Sequence, residues 1–146
     1  MITRRFEAQD IAGICRLITL DHVFNHIDTP LNTLYGIHCL LKGMEQEQIK
    51  TYVAEENGNV KGVVFGRIDA DNFFESHVMF DRHVDALQSC NDVIKDLKAR
   101  FDINGIICYL PESNRAAKML AKKLGMAFCG FSKLDDRVFG CYKKEV

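Results

Sequence analysis

The spacing of hydrophobic positions changes repeatedly along this 146-residue chain, and the changes mark out its elements. Ile2, Arg4 and Phe6 alternate with their neighbours, predicting a first strand over Ile2–Phe6. From Asp10, a good helix cap, Ile11, Ile14, Cys15, Ile18 and His22 recur at 3.6-residue spacing. Val23–Thr29 reads as a loop. Thr29-Pro30 reads as a second helix start, with Leu31, Leu34, His38 and Leu41 as its buried face and Gly43 as its end. Lys50–Glu55 and Val60–Ile68 flank Asn57-Gly58, the dipeptide that tolerates the positive φ of a tight hairpin. Gly62 and Gly66 thin the returning strand and mark bulges or close backbone approach.

After a turn at Asp69–Asn72, Phe73–Phe80 predicts a strand with two distinct faces. Glu75, His77 and Met79 point one way, and Phe74, Ser76, Val78 and Phe80 the other. Asp85 then caps a helix whose apolar face is Leu87, Cys90, Ile94, Leu97 and Phe101. Asn104-Gly105 turns the chain into an apolar strand, Ile106–Leu110, stopped by Pro111, which has no amide to donate to a sheet. Ser113 or Asn114 caps the next helix, with Ala117, Leu120 and Leu124 inward and Gly125 closing it. Ala127–Ser132 and Val138–Tyr142 form a last hairpin across Leu134–Arg137. The strand–helix–strand–helix run predicts two parallel neighbouring strands, Phe73–Phe80 and Ile106–Leu110.

Composition narrows the class. The length fits a single domain, residues 1–146, with enough chain to bury a proper core. A net charge of −1 without a basic run argues against nucleic-acid binding. No apolar run is long enough for a membrane helix, and the N-terminus lacks a secretory apolar region, so the expected location is the cytoplasm. The six cysteines form no CxxC pair; they read as reduced core thiols rather than a zinc site or disulfide framework. His22 and His26 are spaced to share a helical face but lack a third ligand, so no metal is expected.

The segment Asn114, Ala117, Leu120, Leu124, Gly125, Met126 and Gly130 resembles the C-terminal signature of the GNAT (N-acetyltransferase) superfamily, with Met126 where the family has an aromatic residue. The string YVAEENGNVKGVVFGRI is similar to that family's second and third strands. The element order matches along nearly the whole chain, most like short phage-encoded members. The resemblance implies an α/β (α+β) fold: a mixed, mostly antiparallel sheet with a central parallel strand pair and about four helices. It further implies an acyl-CoA-dependent N-acyltransferase using acetyl-CoA or another acyl-CoA. The acceptor would be a small-molecule or peptide amine, and small members are often homodimers. The N-terminal helices would cover the acceptor side.

On this resemblance Glu75 and His77, on the fourth strand, are the candidate general bases. A base must reach the amine directly or through one water. Val78, Met79, Phe80, Arg82, His83, Asp85, Tyr109 and Asn114 are the candidate cofactor-binding residues. Two departures stand against it. The family's glycine-rich pyrophosphate loop corresponds to Arg82-His83-Val84-Asp85-Ala86-Leu87, with Asp85 and Leu87 where small residues belong. The tyrosine that many members use to protonate the leaving thiolate corresponds to Ala121; Tyr109 and Tyr142 are the other phenols of this half. These departures motivate an alternative: a non-catalytic binding or assembly module on the same fold.

Overall fold

The computed structural model describes residues 1–25 and 33–146. The expected helix start at Thr29-Pro30, and with it His26 and Leu31, lies outside the described residues. The elements in order are β1 (Ile2–Arg5), a 3₁₀ turn (Ala8–Asp10), α1 (Ile11–Ile18), α2 (Asp21–Phe24) and α3 (Leu34–Glu45). There follow β2 (Lys50–Glu56), β3 (Asn59–Ile68), β4 (Phe73–Phe80), α4 (Ala86–Phe101), β5 (Gly105–Pro111), α5 (Arg115–Lys123), β6 (Ala127–Leu134) and β7 (Arg137–Glu145). The seven strands form one sheet in the order β1-β2-β3-β4-β5-β7-β6. Every adjacent pair is antiparallel except β4 and β5, which run parallel, as their connection through α4 requires.

The sheet carries a core on each face. On one, Val53, Val63, Phe65 and Met79 pack with Ile14, Leu17 and Val23 of α1 and α2 and with Leu40 and Met44 of α3. On the other, Val64, Phe74, Ile106 and Cys108 pack beneath Cys90, Val93 and Leu97 of α4, Ala121 of α5 and Leu124 at its C-cap. The two-residue periodicity of β4 therefore divides its side chains between two separate helical layers.

Local chemistry explains most boundaries. Asn57 and Gly58 both take positive φ, 52° and 79°, and turn β2 into β3. Asp135 and Asp136 do the same for β6–β7 at 48° and 63°, so that hairpin is longer than the apolar residues alone predict. Asp85 accepts a hydrogen bond from Gln88 N at 3.0 Å, and Asn114 from Ala117 N at 3.1 Å; these are the caps of α4 and α5. Gly66 lies where any β-carbon would collide with the Glu75 carbonyl, so its role is close backbone approach.

Several expectations are corrected. Asp10 does not cap α1; its buried carboxylate accepts from Glu7 N at 2.7 Å and pairs with Arg4 through two bonds of 2.8 and 2.9 Å. His22 leaves the α1 face and sits on α2, a single turn that runs into the segment read as a loop. In α3, Thr33 is the cap, Leu34 is exposed at 89%, and His38 is exposed as well. The buried positions there are Gly36, Leu40, Gly43 and Met44, and Gly43 lies inside the helix against Ile49. Pro111 is the last residue of β5, opposite Phe139, because a strand end can do without its amide. Of the six free cysteines only Cys90 and Cys108 are buried.

Candidate active site

The site originates where the sheet comes apart. β4 stays paired with β3 from Phe74 to Phe80, and β5 stays paired with β7 from Gly105 to Pro111. Between β4 and β5, however, the ladder has only three rungs: Phe73–Gly105, Phe74–Ile106 and Glu75–Ile107. Each strand keeps its antiparallel partner, so the divergence falls wholly on the shared edge. Just past the last rung, Ser76 Oγ donates to the Ile107 carbonyl at 3.5 Å, a long bond at the apex of the gap.

A cavity of about 450 Å³ fills the wedge. Its floor is apolar, with Phe74, Val93, Ile106 and Leu120 among the lining residues. The first turns of α4 and α5 flank its wide end through Val84, Ala86, Asn114 and Ala117. An apolar slot leading to two helix N-termini suits a slender chain that ends in an anion, since unpaired first-turn amides and the helix dipole favour negative charge.

Of the sequence-predicted residues, Val78, Met79, Phe80, Arg82, Tyr109 and Asn114 line this cavity. His83 and Asp85 do not. His83 takes a positive φ of 63° in the loop, and the Asp85 carboxylate is turned back onto its own helix as the cap. His77 lines the cavity, and its ring stacks on Phe65 with centroids 5.2 Å apart. Glu75 stands outside the lining, 3.9 Å from His77 Nε2 on the same sheet face. Ala121 lines the cavity from α5, where the family resemblance implies a tyrosine. Tyr142 is outside the lining, edge-on to Phe128.

Sequence reasoning missed a polar pair at the cavity mouth. His22 Nε2 meets Asp81 Oδ1 at 2.9 Å, and both residues line the cavity. Asp81 also accepts from the Arg82 amide at 2.7 Å and has Lys61 at 3.8 Å. Burial pushes the Asp81 carboxyl upward. The Arg82 amide, His22 and Lys61 together outweigh it and hold the group below the usual carboxylate range. The only available signal was an acidic residue directly after a strand. On the floor, burial raises the Cys90 and Cys108 thiols to about 12, so both stay protonated and inert at neutral pH. Among the described residues, no group of three or more His, Cys, Asp or Glu side chains could hold a metal ion. None of the helices described is long and apolar enough to cross a membrane.

A mixed seven-stranded sheet that opens between a parallel β4–β5 pair, with helices on both faces, is the GNAT fold. Comparison with solved structures agrees. The chain is similar to AAC(6')-Ib in complex with paromomycin and acetyl-CoA, at a TM-score of 0.80 and 14% identity over 98% of this chain and 92% of that one. It is similar to the ribosomal-protein-alanine N-acetyltransferase of Brucella melitensis, at 0.78 and 18% identity over 100% of both chains. A GNAT-family acetyltransferase from Streptococcus pneumoniae gives 0.75 and 15% identity over 99% and 98%. No family model matches the sequence, and no curated protein matches it.

Proposed function

We propose that the protein is an acyl-CoA-dependent N-acyltransferase that transfers an acetyl group to a primary amine. The observation that carries this reading is the wedge between β4 and β5: a largely apolar slot with His77 on its wall and two helix N-termini at its open end. Val78–Phe80 and the ring of Tyr109 would hold the cofactor's arm, with Arg82 and the Asn114 cap near its phosphates. The backbone edge of β4 beyond Glu75 has left the β5 ladder, so its amides face the slot and can stabilise the oxyanion formed when the thioester is attacked.

His77, which lines the cavity, would take the proton from the attacking amine, and Glu75 would stand behind it. The acceptor would lie on the α1–α3 side of the sheet, the face that carries both residues. Solved proteins of this fold act on aminoglycosides and on ribosomal-protein alanine, so a sugar amine and a peptide N-terminus are the acceptor classes to try first.

A second reading, a non-catalytic module, draws on Asp85 and Ala121. Asp85 places a carboxylate at the helix tip where phosphates would approach, yet that carboxylate is occupied by Gln88 N, which reduces its capacity to repel. Calorimetric titration with acetyl-CoA separates the two readings. The enzyme reading expects saturable binding below millimolar concentration; no heat at millimolar ligand would eliminate it.

A further inference from the structure

Breaking a thioester in favour of an amide leaves a sulfur with an extra electron pair, and the helix position implied for its proton donor is Ala121, which has no proton to give. Another donor has to come from the cavity wall. The Ser76 hydroxyl is spent on the Ile107 carbonyl. His22 and Asp81 are bonded to each other at the mouth, by the end of β4. Cys90 and Cys108 line the floor of the cavity, buried in the α4–α5 core below the level of Ser76 and of His77's face of the sheet. His77 is assigned to the amine.

Tyr109 remains. It lies on β5 two residues past Ile107, the last residue paired with β4, and so stands on the wall opposite Ser76 and His77. Its side chain alternates away from Cys108 and Leu110, placing it on the Glu75–His77 face. Among the described residues its hydroxyl has no hydrogen-bond partner, and the residue lines the cavity. A chain entering at the level of Phe80 and reaching Ser76 travels about 13 Å along β4, which brings its tip to the height of Tyr109.

Resting on the acyltransferase reading, we infer that Tyr109 is the proton donor to the departing cofactor sulfur, from the strand rather than from α5. In the balanced step the amine nitrogen bonds to the carbonyl carbon and the C–S bond breaks. The sulfur keeps the electron pair and takes the phenolic proton. The amine's surplus proton goes to His77 and then returns through water to the phenolate, so both groups end as they began. Burial, then Cys141, Glu75 and Asp69, holds this phenol above its ordinary range, so it is protonated at neutral pH.

The test needs no acceptor. CoA is bound to the wild type and to Tyr109→Phe, affinity is measured by calorimetry, and the bound thiol is titrated through its ultraviolet thiolate absorbance. A phenol donating to sulfur favours the thiolate, so the bound thiol should ionise about one pH unit higher in Tyr109→Phe, with similar CoA affinity. Tyr142→Phe should titrate like the wild type. If CoA binds both proteins and the thiol ionises at the same pH in each, the Tyr109 assignment is overturned while the acyltransferase reading stands. If the wild type does not bind CoA, both fall. With acetyl-CoA and an amine that is acetylated, Tyr109→Phe should lower kcat about 10- to 100-fold and leave KM for acetyl-CoA within about twofold; an unchanged kcat would also overturn the assignment.

Discussion

His22 and Asp81, 59 positions apart, share a 2.9 Å hydrogen bond that joins α2 to the end of β4 at the mouth of the cavity. Asp81 gathers three donors there: the imidazole, the Arg82 amide and the more distant Lys61. His22→Ala should destabilise the fold by about 0.5–1.5 kcal/mol, the usual worth of one such bond. Asp81→Ala should cost more, because the other donors lose the same acceptor. Urea denaturation of the two single variants and the double variant measures the coupling, and strictly additive losses would show that the contact contributes nothing.

Asp85→Gly sets two effects against each other. Glycine caps a helix nearly as well as aspartate, so the fold should lose only a few tenths of a kcal/mol. Removing a carboxylate beside the proposed phosphate position should tighten CoA binding by about two- to fivefold, the scale of a solvent-screened charge pair. Calorimetry on the variant checks this, and weaker binding would mean that the loop holds the cofactor in another way.

His77→Ala should lower kcat by about 10²–10⁴, the contribution of a positioned general base. Glu75→Gln should have a smaller effect, because Glu75 lies outside the cavity lining and meets His77 only at 3.9 Å. Steady-state kinetics on both variants decides the order. A larger loss in Glu75→Gln would move the base to the carboxylate.

Gly66→Ala should be among the most damaging single changes to the site. The new methyl group would collide with the Glu75 carbonyl, the backbone of the last residue that pairs with β5. Overpacking against backbone cannot relax by a rotamer change, and a loss of about 2–4 kcal/mol is expected. Thermal denaturation tests this, with Gly58→Ala as a comparison at a turn where space is open and only the positive φ opposes the methyl group.

Acid should destabilise the protein through Asp10 and Asp81. Burial pushes Asp10 upward, but the Arg4 guanidinium and the Glu7 amide overcome this and hold it below its ordinary value; Asp81 is depressed in the same sense. A carboxyl depressed in the folded state stabilises fully above its unfolded pKa near 4, and the contribution is lost as pH falls through the folded value. Stability should therefore be flat from neutral pH down to about 5 and decline below about 4. Asp10→Asn should weaken that decline, as urea midpoints measured across the range would show.

The strands and the two long C-terminal elements were legible because their signals are local. Asn57-Gly58, Asp85 and Asn114 each act through their own backbone, and the alternation along Phe73–Phe80 needs no distant partner to be read. Several of the misreadings concern α1–α3. Leu34 and His38 have the right spacing for a buried face, but that face is set by where Gly36, Leu40 and Gly43 meet the sheet. Asp10 looked like a cap because nothing local announces that Arg4 will reach it from β1. The His22–Asp81 pair was illegible for the same reason, since it exists only once α2 is laid over the end of β4. At the site, periodicity placed His77 on its strand but could not separate it from Glu75, because a two-residue repeat puts both on one side.

The three-rung ladder between β4 and β5 has a consequence for chemistry of a different scale. Because it stops at Glu75–Ile107, it sets a floor under whatever enters the wedge. One added rung would raise that floor by about 3.3 Å, and one lost rung would lower it equally. The gap thus works as a depth gauge: how far anything can enter this sheet is determined by where two strands cease to share hydrogen bonds, before any side chain is consulted.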